Sequence, residues 1–166
     1  MTASGLGLGP PNAAGLLVDT NLLVLLVVGS VNRDRIETFK RTSQYSKADH
    51  DLVIRVLGRF RKICTVAHVL AEVSNLTDLT GAEKVRARNV LRETISLLDE
   101  VEMPSARAAE DRLHQDLGLT DAAIGSVARA HNCSVLTDDL ALYLQLTHDG
   151  VNAHNFTYLR EGSWGI

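Results

Sequence analysis

Four carboxylates fall where a folded chain could gather them. Asp19 follows the apolar run Leu16-Leu17-Val18, and Asp139 follows Val135-Leu136-Thr137. Glu72 lies in Ala67-His68-Val69-Leu70-Ala71-Glu72-Val73 and Asp121 in Leu119-Thr120-Asp121-Ala122-Ala123-Ile124, both apolar contexts near the start of a helix. Singly, each has an ordinary explanation. Asp19 can cap a helix at Leu22, Asp121 and Asp139 can be first-turn acids favoured by the helix dipole, and Glu72 can face solvent. However, Asp19 interrupts an apolar stretch and Glu72 is flanked by Leu70, Ala71 and Val73, so both are expected on partly buried ground. Two unit charges about 4 Å apart at an effective dielectric of about 20 repel by roughly 4 kcal/mol. That is a large part of the ~5–15 kcal/mol that holds a domain folded. Four such groups in one place require protons or cations, and Mg2+ or Mn2+, with oxygen ligands and bound waters, is the natural counter-ion.

The elements that must position these acids can be read from periodicity. Leu16–Val18 predicts a buried strand, Asp19-Thr20-Asn21 a polar turn, and Leu22–Val28 a helix stopped by Gly29. Ser30–Ser46 is polar and predicts a short helix running into a Ser/Thr/Gln loop, and Asp49–Phe60 carries a helical apolar stripe. Ile63–Val66 reads as a second strand, with helices from Ala67 and over Gly81–Asp99, and Val101–Met103 as a short extended piece. Ser105 is expected to cap a helix reaching Gly118, followed by a helix from Thr120 to His131. Ser134–Thr137 predicts a strand, Asp138–Thr147 a helix and Val151–Tyr158 a final strand, while Leu159–Ile166 is uninformative. Strands alternating with helices, without tight hairpin signals, predict an α/β domain with a mainly parallel sheet of four or five strands. In such a sheet, ligands bind outside the carboxyl ends of the strands, where Asp19 and Asp139 would stand.

Composition bounds the rest. The 166 residues suit one domain with its own core, and 45% hydrophobic with 22% charged residues is too apolar for disorder. A formal charge of −3 and only 4% aromatics give neither a global basic field nor a stacking platform for single strands. A nucleic-acid function would need a local site. Residues 1–14, Gly/Ala/Pro-rich without Lys or Arg, are expected to be a flexible leader rather than a signal peptide, with the domain over 15–160 and a tail over 161–166. The apolar stretch from Leu16 is too short, and too polar at its middle, to span a bilayer. Cys64 and Cys133 have no metal-ligand spacing and read as buried free thiols in strands, which fits a cytoplasmic protein.

The series Leu17-Val18-Asp19-Thr20-Asn21, Val69-Leu70-Ala71-Glu72-Val73, Thr120-Asp121-Ala122-Ala123-Ile124 and Val135-Leu136-Thr137-Asp138-Asp139 resembles the PIN domain family. The resemblance runs from about Leu16 to Tyr158, and it is the ordered set of four that is specific, since Asp-Thr-Asn alone is common. It implies a PIN-like α/β/α sandwich and a metal-dependent nuclease, typically an endoribonuclease. Many small bacterial members are VapC-type toxins neutralised by an antitoxin, and a homodimer is the implied assembly. Carried over, Asp19, Glu72, Asp121 and Asp139 would be catalytic residues holding one or two Mg2+ or Mn2+ ions. Thr20, Asn21 and Thr137 would stand behind them or touch a bound water. Thr-x-Asp points to Asp139 as the ligand and leaves its neighbour Asp138 as a helix cap. A metal-bound water has a lowered pKa, and its hydroxide can attack phosphorus in line. That route does not use the 2′-OH, so the preference for RNA over DNA rests on the resemblance.

The interval between Asp19 and Glu72 is longer than in the most compact members, and the extra material, about Ser30–Lys47, holds Arg33, Arg35, Lys40, Arg41, Tyr45 and Lys47. It reads either as a clamp in which cations such as Arg41 and Lys47 grip substrate phosphates, or as a solvated loop. The Lys84–Arg88 segment, interleaved with Glu83 and Glu93, reads as a solvated helix face. The alternative function is a non-catalytic PIN-fold scaffold that binds RNA or protein partners; the presence of all four acids argues against it. A haloacid-dehalogenase-type enzyme would need Asp at position 21, where Asn stands, and no GxSxG supports a serine hydrolase. With the four acids set aside, cations and remaining acids nearly balance, which predicts a nuclease that grips few phosphates.

Overall fold

A computed structural model describes residues 14–163. The expected leader lies outside the described residues except for Ala14. Five short strands, β1 (Leu16–Val18), β2 (Ile63–Thr65), β3 (Asp99–Glu100), β4 (Ser134–Thr137) and β5 (Ala153–Asn155), form one parallel sheet in the order β3-β2-β1-β4-β5. Both central strands are buried along their whole length, which is why they read as unbroken apolar runs rather than alternating ones. Around the sheet run α1 (Thr20–Val31), α2 (Lys47–Leu57), α3 (Ala67–Leu76), α4 (Gly81–Leu97), α5 (Ser105–Ala109), α6 (Leu113–Leu117), α7 (Leu119–His131), α8 (Leu140–His148) and α9 (Phe156–Ser163). The result is an α/β/α sandwich. Helix α1 packs on α2, α3 and α4, and α7 packs on α5 and α6. None of the described helices is long and apolar enough to cross a membrane.

Several boundaries differ from the expectation, each for a local reason. Gly29 does not stop α1, which continues to Val31. A β-carbon on Gly29 would lie 2.2 Å from His50 Cδ2, so the glycine serves the close approach of α1 and α2. The segment after it is largely exposed but anchored at three buried residues. A 3-10 turn over Arg33–Arg35 leads into a coil that buries Ile36, Thr42 and Tyr45, with the Thr42 hydroxyl donating to the Ile36 carbonyl at 2.7 Å. Ser46 then opens α2 through a reciprocal capping box with Asp49.

The third strand pairs at Asp99–Glu100, not over Val101–Met103, although the Val101 N–H still reaches the Thr65 carbonyl at 2.8 Å. The single helix expected from Ser105 to Gly118 is two, because the Asp111 side chain takes the Leu113 N–H at 2.9 Å and starts a new helix there. Ser105 makes no cap; its hydroxyl meets His68 Nε2 at 2.8 Å instead. The last strand ends at Asn155, whose side-chain oxygen accepts the Thr157 and Tyr158 N–H groups and opens α9, a helix that runs through the start of the expected tail. Cys64 lies in β2 and Cys133 just before β4, both buried and free, with their sulfurs 3.7 Å apart.

Candidate active site

Strand order places the acids. The chain leaves β1 for β2 and β3 on one side, then crosses to β4 and β5 on the other, so the strand order reverses between the parallel neighbours β1 and β4. In an open α/β sheet that reversal leaves a crevice at the carboxyl ends of the two strands. Asp19 stands at the end of β1, and Thr137-Asp138-Asp139 at the end of β4.

Asp19 is buried and doubly held. Its Oδ1 accepts the Thr20 N–H at 2.7 Å, and its Oδ2 accepts the Thr137 hydroxyl at 2.6 Å. Burial pushes its carboxyl up to about 6; the two hydrogen bonds pull it down, and the Asp138 and Asp139 charges push it up again. Glu72, on α3, is exposed rather than partly buried as its neighbours suggested: Val69 and Val73 point inward, and Glu72 takes the outer position between them. Both of its oxygens accept hydroxyls, Oε2 from Thr20 at 3.1 Å and Oε1 from Thr120 at 2.5 Å. Those two hydroxyls tie together the starts of α1 and α7 across α3.

Asp121 lies in the first turn of α7, half-buried. Gly118, at φ +92°, sets the direction in which that helix leaves, a backbone angle that a side chain would strain. Asp121 accepts no hydrogen bond among the described residues, and everything acting on it raises its pKa, to about 7: burial first, then the charges of Asp19, Asp139 and Glu72. The four acids thus share one electrostatic site, and Asp121 feels the other three at once.

The helix cap expected of Asp138 falls instead to its neighbour. Asp139, not Asp138, is the N-cap of α8, its Oδ1 accepting the Leu142 N–H at 2.9 Å. Asp138 accepts the Tyr45 hydroxyl on one oxygen, while its Oδ1 is buried with no partner among the described residues. Capping occupies one Asp139 oxygen and leaves the other without a hydrogen bond among the described residues. Asp139, unlike Asp138, contributes to the raised pKa of Asp121.

Of the remaining expected residues, Asn21 is exposed on α1 and makes no side-chain hydrogen bond among the described residues. Lys47, the first residue of α2, pairs with Asp34, and Arg41 is exposed without an ion pair among the described residues. Tyr45 and Thr120 touch the acids without having been anticipated. Thr120 precedes Asp121 in the chain, which was a readable signal; Tyr45 arrives from a distant coil and carried none.

Among the described residues, no three His, Cys, Asp or Glu side chains stand close enough together to enclose an ion. The donor set nonetheless fits a hard divalent cation. All candidate ligands are oxygens, Asp121 is uncommitted, Asp139 has a free oxygen, and Asp19 and Asp121 carry raised pKa values that a nearby cation would lower. Among the described residues, the charges named as acting on Asp19 and Asp121 are all acidic.

The sequence profile of the PIN domain matches residues 16–144. A solved structure, that of PAE2754 from Pyrobaculum aerophilum, superposes with a TM-score of 0.53 at 16% identity, covering 89% of this chain and 96% of that one. At that identity the likeness shows the fold. No curated protein sequence matches.

Proposed function

The chain belongs to the PIN domain family, and from that premise we propose that it is a Mg2+- or Mn2+-dependent endoribonuclease. The observation that carries the proposal is Asp121, a half-buried carboxylate at the strand-order reversal, raised to about 7 by burial and then by the charges of three other acids. A fold does not maintain such repulsion for stability; it suits a site that takes its cation from solution. Asp19, Glu72, Asp121 and Asp139 would hold one or two ions.

When bound, a divalent cation supplies Lewis acidity, lowering the pKa of water for in-line attack and neutralising charge on the phosphate. The chain's own residues prepare the site. Thr137 fixes the Asp19 carboxylate through Oδ2 and, through the same oxygen of its hydroxyl, accepts the Asp139 N–H at 3.0 Å, so one side chain orients both strand-end acids. Thr20 and Thr120 fix the two oxygens of Glu72. Such outer hydrogen bonds keep ligands from turning and are expected to matter nearly as much as the ligands. Asp19 and Asp121 must release protons to bind a cation near neutral pH, so binding should acidify a weakly buffered solution.

The test is cleavage of a labelled RNA by the purified protein with Mn2+, with EDTA, and by Asp19→Asn. Cleavage only by wild type with Mn2+ supports the proposal. Equal cleavage in EDTA, or full activity in Asp19→Asn, defeats it, and RNA binding without cleavage points to a scaffold. RNA as substrate, a toxin role with an antitoxin, and a homodimer are supported by family membership alone. A small DNA-binding protein encoded directly upstream, forming a complex with this chain, would support the toxin role.

A further inference from the structure

Cations elsewhere on the molecule divide into two kinds. In the coil and helix between Arg33 and Asp51, which the sequence allows as a phosphate clamp or a solvated loop, Arg33 pairs with Asp51, Arg35 with Glu83, Lys40 with Asp78 and Lys47 with Asp34, while Arg41 has no ion pair among the described residues. Lys84 and Arg88 are different. They lie one turn apart on one face of α4, expected to be merely solvated, and neither has an ion-pair partner among the described residues. Their one acidic neighbour in sequence, Glu83, is already engaged by Arg35 and by the Asn32 amide at 3.1 Å.

Both side chains line a cavity of about 430 Å3 between the end of α3 and the start of α4, with Ser74, Asn75 and Asp78. The Asp78 charge in that cavity is matched by Lys40 at 3.3 Å, so Lys84 and Arg88 leave it cationic. Asn75 stands three residues after Glu72 on α3, hence on the same helix face and about one turn, ~5 Å, further along. The cavity therefore continues from the Glu72 face of α3 away from the carboxylate cluster, toward the end of α1 where Asn32 holds Glu83, about 18 Å along that helix from the Thr20–Glu72 contact.

We propose that this cavity is a phosphate subsite for single-stranded nucleic acid, in which Lys84 and Arg88 grip a phosphate a few nucleotides along from the one held at the carboxylates and Asn75 donates from its amide. This rests on the nuclease reading above. Two cations with amide and hydroxyl donors suit a phosphodiester, and a polymer held at the acids must place its next phosphates within reach of one side or the other. The acids would repel the strand; this subsite provides the local attraction that the overall charge of −3 does not.

The experiment is steady-state cleavage with Mn2+ of oligoribonucleotides lengthened from two to about eight nucleotides, by wild type, K84Q/R88Q and K84R/R88K. In wild type KM should fall once the oligonucleotide is long enough to fill the cavity. In K84Q/R88Q that gain should vanish, KM for the longer substrates rising roughly fivefold with kcat unchanged, and the logarithmic salt dependence of kcat/KM becoming shallower by about 0.7 for one phosphate lost. The charge-preserving variant should behave as wild type. If wild type cleaves but K84Q/R88Q shows the same length profile and salt slope, the subsite is wrong and the nuclease reading stands. If wild type cleaves no oligonucleotide, both fall. If an acidic peptide such as polyglutamate occupies the cavity, protecting Lys84 from acetylation where the oligonucleotide does not, the surface belongs to a protein partner and the subsite is overturned.

Discussion

The two ends of α7 treat carboxylates in opposite ways. At its start Asp121 faces Asp19, Glu72 and Asp139 with no cation among them and is raised to about 7. At its end Arg129 reaches both Asp111 and Asp149, with Nη1 2.8 Å from Asp149 Oδ2, while Arg112 also meets Asp149 and the Ser126 hydroxyl donates to Asp111 at 2.8 Å. Burial alone would raise Asp111, but the Leu113 N–H, Ser126 and the Arg129 charge together hold it below the usual carboxylate range. One helix, less than two dozen ångströms long, thus carries a matched acid cluster and an unmatched one. The matched cluster ties α6, α7 and α8 together. The unmatched one opposes folding, and the proposed cation would relieve that opposition.

The largest effects should separate the two clusters by activity and by stability. Asp19→Asn removes a ligand and should lower kcat by roughly 10^2–10^3-fold, the loss of about 3–4 kcal/mol of transition-state stabilisation, while its metal-free melting temperature stays equal to that of wild type or rises. Asp149→Asn should do the reverse. It leaves Arg129 and Arg112 facing a neutral amide and should lower stability by about 2 kcal/mol, with kcat per folded molecule retained. Denaturant unfolding and single-turnover cleavage on the two variants check this; a destabilised Asp19→Asn, or an inactive but stable Asp149→Asn, would erase the distinction.

The same contrast explains what the sequence reveals and what it hides. Acids at strand ends are legible because Leu16–Val18 and Val135–Thr137 are unbroken apolar runs, and the chain order of the four matches a known family. The sheet is legible for the same reason. What escapes is decided by contacts that periodicity does not carry. Asp138 and Asp139 are chemically identical neighbours, and only the direction in which α8 leaves β4 determines which one meets the Leu142 N–H. The break between α5 and α6 and the start of α9 each hang on one side chain, Asp111 and Asn155, taking backbone N–H groups. Tyr45 reaches Asp138 from a coil far away in sequence, its ring edge-on to Phe156, and no local pattern announces that contact.

A smaller effect follows from the sign of the Asp121 shift. Its carboxyl titrates near 7 in the folded chain and near 3.9 when unfolded. Between those values the folded state holds a proton that the unfolded state has lost, so this group's contribution to stability falls as pH rises through the window and is least favourable above 7. Asp121→Asn should therefore stabilise the metal-free protein more at pH 8 than at pH 5. For a half-buried group partly screened by solvent, the difference should be about 1–2 kcal/mol, or a few degrees in melting temperature. His50 and His154, both lowered chiefly by burial, act in the opposite direction below pH 6.5 but cancel between the two proteins. Saturating Mn2+ should abolish or reverse the pH 8 advantage, because wild type then gains a cation that the variant holds less well. A variant equally stabilised at both pH values would show that Asp121 is not opposed by its neighbours.

The smallest predicted effect concerns Lys47. Sequence spacing makes it a candidate phosphate contact, yet it meets Asp34 across an exposed pair whose side chains are 46% and 80% accessible. Exposed pairs of that kind contribute little to stability, so Lys47→Ala should leave the melting temperature almost unmoved. Its charge is already matched, so KM for a long oligoribonucleotide should also change less than about twofold. Arg41, exposed and without an ion pair among the described residues, provides the internal contrast: Arg41→Ala should raise KM more than Lys47→Ala, though less than K84Q/R88Q. If Lys47→Ala instead weakens the substrate as strongly as K84Q/R88Q, then Asp34 releases Lys47 when the strand arrives. A matched charge would in that case be a reserve for binding rather than a spectator, and the rule that separates the two ends of α7 would not extend to the surface.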